Sequence, residues 1–116
     1  MNEKKNKSSV LETCLAKPAA LASMIDYADD SIVSKTIIDK PVGTITLFAF
    51  DRGQKLSEHT APYDAVVQVL DGKAELTIGG KPITVCAGQL IIMPANVPHS
   101  VNAHEKFKML LTMIRA

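Results

Sequence analysis

With 116 residues, the chain is sized for one domain and is short for two. Hydrophobic residues make up 47% of it, enough to build a core, which excludes wholesale disorder. Its 13 basic and 12 acidic side chains leave a net charge of +1. That balance gives no electrostatic basis for binding nucleic acid or an anionic membrane, and no stretch approaches the ~20 apolar residues of a membrane-spanning helix.

The run Glu3-Lys4-Lys5-Asn6-Lys7 marks a polar, solvated tail, expected to be disordered through residue 9. No signal-peptide apolar region follows it, because Val10-Leu11 runs straight into Glu12 and then Lys17-Pro18. Cys14 and Cys86 lack metal-motif spacing and are expected as reduced thiols of a cytoplasmic protein, with Cys86 a small core residue in an apolar strand. Pro18, followed by Ala19 to Ile25, predicts a short helical turn. Residues 1–30 therefore read as a tail with a short irregular or helical segment, and residues 31–116 as the folded domain.

From Ser31 onward the pattern is that of strands. Ser31 to Ile38 is rich in β-branched residues, and Thr44 to Phe50 ends apolar on both faces, so it should be covered on both sides. Asp71-Gly72 predicts a hairpin between Val66–Leu70 and Ala74–Ile78, and Gly79-Gly80 a second one into Ile83–Cys86. Ala74, Leu76 and Ile78 alternate with Glu75 and Thr77, giving one buried and one wet face. Leu90 to Met93 is a fully apolar strand, and another begins between Val97 and Val101. Phe107, Met109, Leu111 and Met113 share one face of the last strand, while Leu110 and Ile114 make its other face apolar too. About eight short strands punctuated by glycine and proline predict an all-β barrel or sandwich. There is no room for a helix-turn-helix before Ser31, and no activated nucleophile, phosphate-cradling loop or pair of catalytic carboxylates stands out.

Two segments carry the chemistry. Gly53-Gln54-Lys55-Leu56-Ser57-Glu58-His59 leads through Asp64 into the strand closed by Asp71-Gly72. Gly88-Gln89-Leu90-Ile91-Ile92-Met93-Pro94-Ala95-Asn96-Val97-Pro98-His99 has the same outline, opening on glycine and ending on histidine. Together they resemble the two motifs of the small single-domain cupins, over a stretch from about Ser31 to Arg115. The resemblance implies a double-stranded β-helix, the cupin jelly-roll barrel. Gly53, His59 and Gly72 fit the first motif, but the second histidine position falls on Ala61 and the acidic position on Ala65. Gly88, Pro94 and His99 fit the second, with Asn96 in place of the usual glycine. Asparagine tolerates left-handed backbone, so the turn can survive the change.

The departures bear directly on function. A catalytic metal normally takes three protein ligands, and two imidazoles fall short of that number. Asp64 is a tempting third, but it neighbours Ala65 and should point to the opposite face, as Glu58 should relative to His59. A bulge could reverse this parity, though nothing in the sequence demands one. His104 reads as an exposed turn residue. The expected pocket is a greasy cavity with a polar end, formed by His59, Ala61, Ala65, Val67, Phe48, Met93 and His99. The first reading is a non-catalytic protein binding a small-molecule ligand in the barrel. The alternative is a metal-dependent cupin enzyme of the isomerase or oxygenase class, with one divalent transition metal on His59 and His99. A third is a protein-interaction domain that keeps only the fold. A homodimer is expected, its second subunit covering the apolar outer face of the last strand.

Overall fold

The computed structural model describes residues 9–115. Ten strands follow in order: β1 (Ser9–Val10), β2 (Ile32–Lys40), β3 (Gly43–Phe50), β4 (Lys55–His59), β5 (Asp64–Asp71), β6 (Lys73–Ile78), β7 (Lys81–Cys86), β8 (Leu90–Met93), β9 (His99–Asn102) and β10 (Phe107–Ile114). They form two antiparallel sheets. One has six strands in the order β1-β2-β3-β10-β5-β8, and the other has four in the order β4-β9-β6-β7. This is the jelly-roll arrangement that the resemblance implied, within the all-β class that the spacing of turns predicted, with non-consecutive strands as neighbours in both sheets. Of the tail expected to be disordered, residues 1–8 lie outside the described residues. Ser9 does not fit that expectation, because β1 pairs with β2 at Ser9–Asp39 and Val10–Ile38.

Local sequence explains the turns, with one correction. Gly79 and Gly80 have φ of 58° and 83°, the geometry of a two-residue hairpin, and β6 pairs directly with β7 from Ile78–Lys81 onward. Asp71-Gly72 is not a hairpin. β5 and β6 belong to different sheets, so Gly72 is a corner between them. Its φ is 74°, and a Cβ there would collide with the carbonyl oxygen of Lys106, so glycine is required on both counts. A turn-forming dipeptide is common to hairpins and corners, and only the partner of each strand tells them apart.

Alternation then builds the core. Ala65, Val67 and Val69 of β5, Ala74 and Leu76 of β6, Val101 of β9 and Met109 of β10 are buried between the sheets. The end away from the histidines is filled by Phe50 and Phe107, stacked with ring centroids 4.6 Å apart. Cys86 departs from its expected place. It is exposed, because on β7 Ile83 and Val85 take the inner positions and leave Thr84 and Cys86 outside.

The outer face of the six-stranded sheet is covered by the chain itself. Residues 11–31 form a strap with single 3-10 turns at Glu12–Cys14 and Leu21–Ser23, the second where the helical turn was expected. The strap buries Ile25 against Leu47 and Ala49, with Leu70 and Leu110 beside them. Polar contacts fix its far end. The Lys108 ammonium donates to the Ala22 carbonyl at 2.6 Å, the Asp30 amide donates to Asp51 at 2.7 Å, and the Tyr27 phenol donates to the Asp71 carboxylate. The apolar outer face expected to be covered on β10 is thus covered, at Leu110, by a segment of the same chain. The strap stops short of the histidine end, where Ile92 and Ile114 stay 58% and 53% exposed.

The Tyr27 phenol is held far above the ordinary tyrosine range, chiefly because it is partly buried and secondly because it donates to the negatively charged Asp71. A phenol that holds its proton more tightly when folded stabilises the fold below the unfolded value of about pH 10. That contribution is lost as the pH rises from there through the folded value. In urea titrations Tyr27→Phe should be less stable than wild type at neutral pH, and the two midpoints should converge above about pH 10. A constant gap across that range would show that the phenolic proton plays no part.

Candidate functional site

The mouth of the barrel is set by an irregularity in β4. Leu56 pairs with Val101 and His59 with His99, so three steps along β4 match two along β9. The extra residue is a β-bulge, and its effect is to reverse side-chain parity. Leu56 and His59 both face the interior, whereas an unbroken strand would have put Glu58 on the face of Leu56. Glu58 is exposed instead. The bulge that nothing in the sequence demanded is therefore what selects histidine over glutamate.

The two imidazoles lie edge to face, with ring centroids 4.4 Å apart and planes at 68°. His99 is buried, at 7% exposure, and His59 sits at the open side. Each ring has Nδ1 against the carbonyl of the residue two positions earlier, Ser57 for His59 at 2.9 Å and Val97 for His99 at 3.2 Å. A carbonyl can only accept, so in the neutral ring the proton is fixed on Nδ1 and Nε2 is left with its lone pair. Two hydrogen-bond acceptors of the same kind are thereby set side by side.

Below them is a cavity of about 50 Å³. Of the residues expected around it, His59, Ala61, Ala65, Met93 and His99 line it together, while Val67 and Phe48 do not. Val67 is one inward position further along β5 and wholly buried in the packed core. Phe48 packs against that core, its ring 6.1 Å from Phe50. The remaining lining comes from Leu56, Val101, Met109, Leu111 and Met113. The inward face of β10 was readable as Phe107, Met109, Leu111 and Met113. That Met113 stands opposite Ala65 follows only from the pairing of β10 with β5.

The acidic candidates are elsewhere. Asp64 accepts a hydrogen bond from the Ala95 amide at 2.8 Å, and the Asn96 amide donates to the Ala61 carbonyl at 2.7 Å. These two bonds tie the β4–β5 connection to the loop that leads to His99. Asn96 has φ of 65°, the left-handed geometry anticipated where glycine is usual. His104 is exposed at the far end of the barrel. Among the described residues there is no group of three His, Cys, Asp or Glu side chains able to hold a metal ion. No helix among them is long and apolar enough to cross a membrane.

An antiparallel jelly-roll barrel with an imidazole pair at its mouth defines the class. The chain belongs to the cupins: the Cupin domain family matches residues 46–115. Among solved structures, a conserved protein of unknown function from Streptococcus pyogenes is 37% identical, with a TM-score of 0.84 over 88% of this chain and 90% of that one. A cupin 2 conserved barrel domain protein from Leptotrichia buccalis is 42% identical with a TM-score of 0.78, over 81% of this chain but 46% of that longer one. A cupin superfamily protein from Desulfitobacterium hafniense is 25% identical, with a TM-score of 0.83 over 88% and 94%. No curated protein matches the chain.

If Asp64 acts as a latch on the loop, Asp64→Ala should leave the barrel folded and cost about 1 kcal/mol, the worth of one hydrogen bond at the surface. Amide exchange at Ala95 should quicken relative to the β5 core amides. Unchanged exchange at Ala95 would show that the loop holds its place without the carboxylate.

Proposed function

We propose that this cupin binds a small molecule at the barrel mouth, with the ligand's hydrogen-bond donors on the Nε2 atoms of His59 and His99. The observation that carries this reading is the commitment of both Nδ1 atoms to backbone carbonyls. It leaves two matched acceptors above an apolar floor, the combination of few polar groups and greasy walls that suits a ligand site. The cavity volume of about 50 Å³ bounds the ligand. Small-molecule sites commonly run to roughly 300 Å³ or more, so only the leading atoms of a ligand fit inside and its body rests against the rim.

A thermal-shift screen of small polar compounds tests the reading. A true ligand at 100 times its dissociation constant should stabilise wild-type protein by about 2.7 kcal/mol and leave His59→Ala/His99→Ala unmoved. A compound that stabilises both proteins equally binds elsewhere and would refute this site.

The same Nδ1–carbonyl arrangement favours a second reading, since metal-bound histidines are usually oriented through their other nitrogen. His59 and His99 would supply two ligands for a divalent transition metal. Alanine at 61 and 65, and Asp64 held on the Ala95 amide, leave that set one short of a catalytic site, so no reaction step is routed through such an ion. Metal analysis of untagged protein decides. Near-stoichiometric divalent metal that disappears in His59→Ala/His99→Ala supports the metal-bound reading, and none after growth in supplemented medium counts against it.

We also propose a homodimer through the part of the outer face that the strap leaves bare. Ile92, Val66, Thr112, Ile45 and Ile38 are successive partners across five strands, beside a groove of about 300 Å³ lined by Val42 and Ile114. β8 is an edge strand with neither charge nor proline within it, and Leu90 and Ile92 are 60% and 58% exposed. Such an apolar edge is a template for pairing with another chain. Sedimentation should give a dimer for wild type and a monomer for Ile92→Lys, and a monomeric wild type would remove the proposal.

A further inference from the structure

The cavity contains a second kind of donor. Met93, Met109 and Met113 all line it together with His59 and His99, and they are all the methionines that the barrel strands contain. Their placement is set by register. Ala65 of β5 pairs with Met93 of β8 on one side and with Met113 of β10 on the other. Directly paired residues on neighbouring antiparallel strands project to the same face, so two thioethers flank the alanine methyl on the cavity side. Ala65 occupies the position where the cupin motif usually has its carboxylate. The site has thus lost an anionic oxygen ligand and is bordered by two neutral sulfurs.

From this we infer that the cavity is a soft-metal site, in which His59, His99 and the thioethers of Met93 and Met113 hold one Cu(I) ion. The inference shares the two histidines with the small-molecule reading but depends independently on the methionines. Thioether and imidazole donors together select monovalent copper over the harder divalent ions. Charge points the same way. The cost of moving an ion out of water grows with the square of its charge, so a divalent ion pays roughly four times what a monovalent one does. With no carboxylate or thiolate in the lining, nothing offsets that cost for a divalent ion. Cu(I) is also satisfied by two or three ligands, so the shortfall that disqualifies a catalytic zinc set does not apply. The volume of about 50 Å³ suits a bare ion that has exchanged its water for protein donors. Binding requires no change of oxidation state and no co-reactant.

Methionine is also the adaptable filler of irregular cores, and the test separates the two roles. Untagged protein is titrated anaerobically with Cu(I) in competition with a chromophoric Cu(I) chelator. Wild type should take up one Cu(I) per chain, and X-ray absorption should place sulfur in the first coordination shell. Met93→Leu/Met113→Leu conserves volume and should keep the barrel folded, as its circular dichroism will show. That variant should lose at least about tenfold in Cu(I) affinity while still responding to any small molecule found in the screen. His59→Ala/His99→Ala should lose both. Failure of wild type to bind Cu(I), a first shell without sulfur, or unchanged affinity in the methionine variant would each overturn the inference. In each of those cases a ligand that still needs the histidines leaves the small-molecule reading standing.

Discussion

The six-stranded sheet has to be covered on both sides, and much of the molecule follows from that constraint. Its central strands β3 and β10 carry apolar side chains on both faces, so neither face can be left to water without exposing Leu47, Ala49 and Leu110 or Phe50, Phe107 and Met109. The inner face is closed by the four-stranded sheet. The outer face is closed over Leu47, Ala49 and Leu110 by the strap, which leaves the histidine end of that face bare. The strap is held by the apolar packing of Ile25 on Leu47 and Ala49 and by the polar contacts at its far end.

The covering is asymmetric along the barrel axis, and the asymmetry separates the two ends. At the far end, stacked phenylalanines fill the interior and the strap is pinned by Tyr27 and Asp30. At the histidine end Ala61 and Ala65 leave a small cavity among methionine and leucine side chains, the strap has turned away, and the loops after β4 and β8 are joined by one backbone hydrogen bond and by the Asp64 carboxylate. Cavity, imidazole pair and uncovered apolar face consequently lie towards the same end. The interior is thus filled by stacked aromatic rings at one end and keeps a small cavity at the other.

The residues of the mouth illustrate how far sequence reaches. His59, Ala61, Ala65, Met93 and His99 were legible together because the cupin motif spacing assigns them to one end of the barrel. Phe48 and Val67 were misplaced because strand alternation gives the face of a residue but not its depth. Cys86 was misjudged for a related reason, since an apolar run does not reveal which parity is inward until a partner strand is known. Parity placed Asp64 off the face of Ala65, but the bond it accepts from the Ala95 amide joins residues 31 apart and has no local signal.

The sequence by itself determined most of the strand pattern, though not β1 or β4, together with the hairpin at Gly79-Gly80 and the left-handed turn at Asn96. All of these depend on the conformational preferences of single residues or on short spacings. Tertiary structure alone decided the bulge that turns His59 rather than Glu58 inward, the corner at Gly72, the coverage of β10 by the strap and the pairing of Ala65 with Met93 and Met113. Each of these is a matter of register between strands distant in the chain. Register is fixed by how whole faces pack, and no short window of sequence contains both partners.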